Sequence, residues 1–243
     1  MANFALLNNV DHKDVRVITT RAAKYGDNVM FAMTFPAEFR SVQAYYPILF
    51  HQNTDGETYP VALFGFEQHE NLFLDESGWQ AGYIPAMVRR QPFMIGFQKP
   101  KDASQTENLR VLSLDMDHPR VSTSEGQALF LPLGGRTPYL EEAATLLENI
   151  YAGNAHSKQF VTAMMQHELI EQVTFDIQLG DGSRNQLLGF SALNEEKLSE
   201  LSGLTLEDFS RRGFLLPLFM VLASTANVRK LIELKSRRLA VPA

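Results

Sequence analysis

The hydrophobic pattern of this chain changes from short strand-length runs to helical spacing after Gly134-Gly135. Ahead of that point the apolar residues come in short runs: Val15 to Thr19, Asn28 to Phe35, Pro47 to His51, Pro60 to Phe66, Asn71 to Leu74, Pro92 to Gln98 and Leu109 to Leu114. Each has the length of a strand, and turn residues separate them. Behind it, Leu140, Ala143, Ala144, Leu147 and Ile150 recur at helical spacing, with Thr137 as a cap and Pro138 in the first turn. A chain that segregates its strands from its helices in this way folds as α+β. The expected architecture is a strand-rich N-terminal half with antiparallel hairpins and a helix-rich C-terminal half containing one β-hairpin. The change of period sets two subdomains, 1–134 and 135–243, or two halves of one integrated domain.

Local signals fill in this outline. Pro36 to Tyr45 opens as a helix, and Asn53-Thr54-Asp55-Gly56 is a turn between two strands. Lys99 to Glu107 is polar and predicts an exposed loop. Gly153 and Asn154 predict the end of the first helix of the second half, and His156 to Ile170 a second helix packed antiparallel to it. Val173, Phe175, Ile177 and Leu179 alternate, Gly180-Asp181-Gly182-Ser183 turns, and Asn185 to Leu193 returns, so this is the hairpin. Asn194 caps a further helix, and Thr205 with Asp208 predicts another start. Phe214 to about Arg238 predicts a last helix kinked near Pro217. Its apolar run, Phe214 to Ala223, is too short to span a bilayer, which takes about 20 residues, and predicts a buried helix.

The chain has 243 residues and no cysteine, so disulfides and thiolate metal sites are excluded. Its formal charge of −6 argues against broad nucleic-acid binding. The charge is uneven. From Arg211 onward seven basic residues face only Glu233, so this segment carries +6 and the rest −12. Cations near a helix C-terminus are the simplest account, and a docking surface for an acidic partner or anionic membrane the sharper one. Met1 to Val15 has no basic segment followed by a long apolar one, so no targeting segment is expected and the location is taken as cytoplasmic.

The usual catalytic patterns fail on inspection. His167-Glu168 begins a zinc-protease motif, but Glu171 stands where the second histidine belongs. His156 and His167 are about 16 Å apart along a helix and cannot share an ion. Asp115, Asp117 and His118 have the spacing of a metal or acid/base strand end, although a polar turn before Pro119 explains them as well. Gly189-Phe190-Ser191-Ala192-Leu193 lacks the second glycine of a nucleophile elbow, so Ser191 is expected to be an ordinary strand residue. No cofactor or metal is expected.

Tyr45 to Phe93 is the densest polar-aromatic block and holds the only tryptophan. Tyr45, Tyr46, Asp75, Trp79, Arg89 and Arg90 are its candidate ligand-binding residues. Rings offer contact area at low entropy cost, and guanidinium groups grip carboxylate or phosphate in a fork. Knitting of short strands by the aromatics, with Arg89 on Asp75 or Glu76, is the structural alternative.

The same block carries a resemblance. Tyr46-Pro47-Ile48-Leu49-Phe50, Pro60 to Gly65, Asn71-Leu72-Phe73-Leu74-Asp75, Trp79, Tyr83-Ile84-Pro85-Ala86 and Arg89-Arg90-Gln91-Pro92-Phe93 resemble the bacterial SapC family. An aromatic usually stands where this chain has Gln91. The Asp181-Gly182 hairpin, Leu188-Gly189-Phe190 and Ser224 to Leu231 are similar to the family's closing segment. The resemblance implies a setting: a surface-layer protein locus gave the family its name, and many members are encoded beside TonB-dependent receptors. It supplies no catalytic residue. It is distinct from the transporter permease of the same name. The expected function is therefore a soluble accessory or binding protein of a surface-layer or nutrient-uptake system. Its partner would be an unidentified protein or small molecule, with no nucleic acid and no membrane span, and homo-oligomerisation is open. The alternative is an enzyme of unrecognised type on a small or peptidyl anionic substrate, with Asp75 as acid or base and the arginines as anchors.

Overall fold

A computed structural model describes residues 3–99, 109–178 and 184–240. Most of the polar loop after Lys99, and the Gly180 to Ser183 turn with Leu179, lie outside the described residues. The strands in chain order are β1 (Phe4–Leu6), β2 (Arg16–Val17), β3 (Phe31–Met33), β4 (Ile48–Gln52), β5 (Thr58–Leu63), β6 (Leu74–Asp75), β7 (Gly78–Trp79), β8 (Phe93–Gln98), β9 (Leu109–Asp115), β10 (Val121–Ser122), β11 (Gln127–Ala128), β12 (Ile170–Gln178) and β13 (Arg184–Leu193). The helices are α1 (Phe39–Val42), α2 (Ala86–Arg89), α3 (Pro138–Gln166), α4 (Glu195–Ser199), α5 (Gly203–Arg211), α6 (Leu215–Ser224) and α7 (Asn227–Ala240). The class is α+β, strand-rich in front, with the hairpin set among the helices behind.

The chain groups into two compact units, each built from two stretches of sequence: Met1–Asp27 with Val88–Tyr151, and Asn28–Met87 with Ala152–Ala243. Gly134-Gly135 lies inside the first. That unit holds an antiparallel sheet in the order β1-β9-β8 and a small one in the order β10-β2-β11. Ala5, Leu114 and Phe93 are opposite one another across the first sheet. Leu114 and Phe93 are buried with Val15, Val17 and Leu129 against Leu140 and Leu147 of α3, the stripe expected from the periodicity. Asp27 is fully buried beside two arginines. It accepts from Arg120 Nη2, from Arg21 Nη1 at 3.1 Å and from the backbone N–H of Ala22 at 2.8 Å. Arg120 also donates to the carbonyls of Ile18 and Thr20, so the group clamps the N-terminal stretch. Burial, then the charge of Arg120, holds the Arg21 guanidinium below its ordinary value.

The second unit is organised on a five-stranded antiparallel sheet in the order β12-β13-β4-β5-β3. The hairpin of the back half thus joins the strands of the front half. Ile48, Leu49 and Phe50 of β4 are all buried, as a strand covered on both faces requires. Helix α6 packs on β4 and α1, and Ser224 Oγ accepts the Ile48 N–H at 2.8 Å. Phe160 of α3 lies edge-on to Phe39 at 6.0 Å and Phe214 at 5.7 Å, and all three are buried. Each such ring contributes about 1.5–3 kcal/mol.

Four local expectations change. Helix α3 runs unbroken through Gly153 and Asn154, because Gly153 is there for close approach: a Cβ would meet the Phe35 side chain at 3.4 Å. Helix α5 starts one turn earlier than expected, with Ser202 Oγ accepting the Thr205 N–H. The last helix breaks at Thr225-Ala226 and not at Pro217. Pro217 sits in the first turn of α6, where an N–H lacks an intrahelical acceptor anyway. The apolar run is buried on one face only, since Leu216 is 55% and Phe219 47% exposed.

Candidate functional site

The β12–β13 hairpin contains a fault in its register. Val173 pairs with Phe190 and Phe175 with Leu187, so Thr174 faces two residues, Leu188 and Gly189. This is a β-bulge, a device that bends a strand and re-aims its side chains. Gly189 has φ +82°, and a Cβ built on it meets nothing within 4 Å, so conformation and not space calls for glycine here. Beyond the bulge β13 leaves its neighbour. It pairs with β4 only at Phe190↔His51 and Ser191↔Phe50, whereas β4 pairs with β5 along its whole length.

The divergence opens a cavity of about 810 Å³. His51, Gln52 and Thr58 line one side, and Thr174, Leu188 and Gly189 of the bulge the other. Met165 and Glu168, near the end of α3, Ile170, Gln172 and Val173 of β12, and Phe190 and Ser191 of β13 complete it. Hydrogen-bonding side chains are interleaved with apolar ones, the usual chemistry of a small-ligand site. Glu168 has φ +56°, an uncommon conformation for a residue with a Cβ.

His51 is the most constrained member. Its Nδ1 lies 2.9 Å from the Gly189 carbonyl oxygen. A carbonyl only accepts, so Nδ1 carries the hydrogen and Nε2 keeps its lone pair in the neutral ring. Phe31, Phe190 and Tyr59 surround the imidazole at centroid distances of 5.0, 5.2 and 5.7 Å. The bulge therefore opens the cavity and also orients a ring that lines it. A lone-pair nitrogen held this way accepts a hydrogen bond or takes a proton.

The six residues singled out in the sequence are not gathered at this cavity. Tyr45, Tyr46 and Trp79 come together, with ring centroids 6.1 Å apart for the tyrosines and 6.5 Å for Tyr46 and Trp79. Tyr46 is fully buried; its hydroxyl donates to the Tyr83 carbonyl and accepts from Trp79 Nε1 at 2.7 Å. Burial raises its phenol well above the ordinary range. These contacts tie strands together. Asp75 is exposed, and its Oδ1 accepts from the Ser77 N–H and hydroxyl and from Gln80 Nε2. Ser77 above all holds this carboxyl below its usual value, which weakens it as a base. Arg89 and Arg90 belong to the first unit, where Arg90 Nη1 donates to the Phe93 carbonyl at 2.9 Å.

The other motifs resolve into local structure. Asp115 Oδ1 accepts the Asp117 N–H, and His118 Nδ1 accepts the Arg120 N–H, so this run is a turn. His156 and His167 pack on Phe214 and Phe209. Ser191 is a paired strand residue, opposite Gln172 and Phe50. No group of three or more metal-ligating side chains occurs among the described residues. The signal that marks the cavity was visible: a glycine at position 189 inside an otherwise regular strand, which points to a bulge. Its partner, His51, stands 138 residues away, and only the sheet pairing connects them.

Compared with known proteins, the chain matches the SapC family model over residues 7–231. No curated protein and no solved structure matches it. The match spans nearly all of the 243 residues, so the chain belongs to the SapC family.

Proposed function

We propose that this SapC-family chain is a binding protein, a soluble cytoplasmic accessory of a bacterial surface-layer or TonB-dependent nutrient-uptake system, that holds its ligand in the bulge cavity beside His51. The surface-layer and uptake setting rests on the family resemblance. The observation that carries the binding reading is the cavity: about 810 Å³, opened by a glycine bulge whose carbonyl also sets the histidine tautomer. Its lining offers one carboxylate, Glu168, and no lysine or arginine. A neutral or cationic polar ligand, such as a short peptide segment, complements it better than an anion. The enzyme reading keeps one specific support, the Nε2 lone pair of His51, which has the form of a general base.

Native mass spectrometry of protein purified gently from a host of origin tests the proposal. A bound small molecule or peptide is expected on the wild type and not on Leu188→Arg, which fills the cavity from an exposed strand position. Equal retention by both proteins, or none by either, contradicts it.

A further inference from the structure

Helices α6 and α7 expose a stripe that the core does not use. Leu216, Phe219, Ala223 and Ala226 are exposed at alternating spacings of three and four, and the same spacing continues through Lys230, Glu233 and Arg237. The opposite face is fixed. Leu218, Val221 and Leu231 are buried, Ser224 holds the Ile48 N–H, and Lys235 Nζ donates to Glu67 at 3.0 Å and to Glu70. Leu215–Ala240 contains an 18-residue stretch of mean hydropathy 1.4, apolar and long enough to cross a membrane by composition, yet only 28% of it is buried. With its inner face bonded to the sheet and to two carboxylates, this helix pair lies along the body and is not arranged to span.

We propose that the α6–α7 stripe is a docking face for an anionic lipid bilayer, with Leu216 and Phe219 entering the interface and Arg229, Lys230 and Arg237 over the headgroups. Apolar side chains beside basic ones on one helical surface are what an interfacial helix needs. Charge complementarity selects the occupant. On the exposed face of α7, Arg229, Lys230 and Arg237 outnumber Glu233 on a protein of net −6, so an anionic surface attracts this face and repels the rest.

Co-sedimentation of the full chain with vesicles tests this, using phosphatidylcholine alone and phosphatidylcholine with phosphatidylglycerol. Binding is expected only to the anionic vesicles and should fall as salt shortens the screening length from about 10 Å at 0.1 M to about 3 Å at 1 M. Arg229→Gln with Lys230→Gln should weaken it roughly 30-fold, since each cation near such a surface contributes on the order of a few-fold to tenfold. Phe219→Ser should weaken it roughly tenfold with an unchanged unfolding midpoint, because the side chain is exposed. Equal binding to neutral vesicles overturns the proposal, as does no binding to anionic vesicles at low salt. So does a Phe219-dependent dimer in sedimentation velocity, or binding to soluble polyglutamate that ignores Phe219→Ser.

Discussion

Replacing Tyr46 by phenylalanine removes one oxygen atom from the interior of the second unit and leaves the apolar packing in place. The ring keeps its edge-on contacts with Phe64 at 5.1 Å and Phe73 at 4.7 Å. What goes is the bridge between the Trp79 indole N–H and the Tyr83 carbonyl. Each hydrogen bond contributes about 1 kcal/mol net, and a buried group left without a partner costs about 1–3 kcal/mol. Trp79 is half-buried, so its N–H recovers water in part, while Tyr46 itself is fully buried. The expected loss for Tyr46→Phe is about 2–3 kcal/mol. Urea unfolding followed by the fluorescence of Trp79, the only tryptophan, reads this unit directly. With a slope of about 1–3 kcal/mol per molar urea, the midpoint should fall by roughly 1 M. Combined with Trp79→Phe, and with all four proteins followed by circular dichroism, the double-mutant cycle should return a coupling of about 1 kcal/mol. A Tyr46→Phe protein within about 0.5 kcal/mol of wild type would refute the assignment of Tyr46 as a bonded strut.

Further consequences concern other parts of the fold. Burial pushes the Tyr139 phenol up to about 12 from an ordinary value of 10. The folded chain therefore holds this proton when the unfolded chain has released it, and stability present below pH 10 is lost as pH rises towards 12; ultraviolet titration should find a tyrosine that ionises late, together with a falling urea midpoint. Gly189→Ala should cost about 1–2 kcal/mol through its positive φ alone, since there is room for the methyl group, and circular dichroism melts will measure it. Lys235→Met strands the Glu70 carboxylate and should destabilise by about 2 kcal/mol, with partial recovery in the pair Lys235→Met/Glu70→Gln. Ser224→Ala removes the acceptor for the Ile48 N–H and should cost about 1–2 kcal/mol by the same measurement.

Much of the architecture was legible because it follows from local periodicity. The stripe at Leu140, Ala143 and Leu147, the strands at Ile48 to Gln52 and Leu109 to Asp115, and the Asn194 cap all appear where their patterns place them. Gly153 misled because glycine marks both a helix end and a close contact, and only the neighbouring Phe35 distinguishes them. The building of the second unit from two distant stretches of sequence was not legible, since pairing of Phe190 with His51 is a long-range event that periodicity does not encode. The cavity was legible only in part, since Gly189 marks the bulge but its partner His51 stands 138 residues away. The aromatic block drew attention by its composition, but the bonds of Tyr46 and Trp79 are internal, and Asp75 serves its own turn. Composition identifies dense chemistry, and only geometry separates a strut from a contact surface.

The proposed ligand site is the one that the bulge at Thr174, Leu188 and Gly189 forms around His51. Nitrogen-15 spectra of histidine-labelled protein under mildly alkaline conditions test it most directly, with the His51 ring assigned by its loss in His51→Gln. The expected spectrum shows a ring protonated on Nδ1 with a free lone pair on Nε2, and a displaced Nε2 resonance when the low-mass fraction of host extract is added to the wild type but not to Leu188→Arg. A ring protonated on Nε2, or an Nε2 resonance that the extract leaves in place, would contradict it.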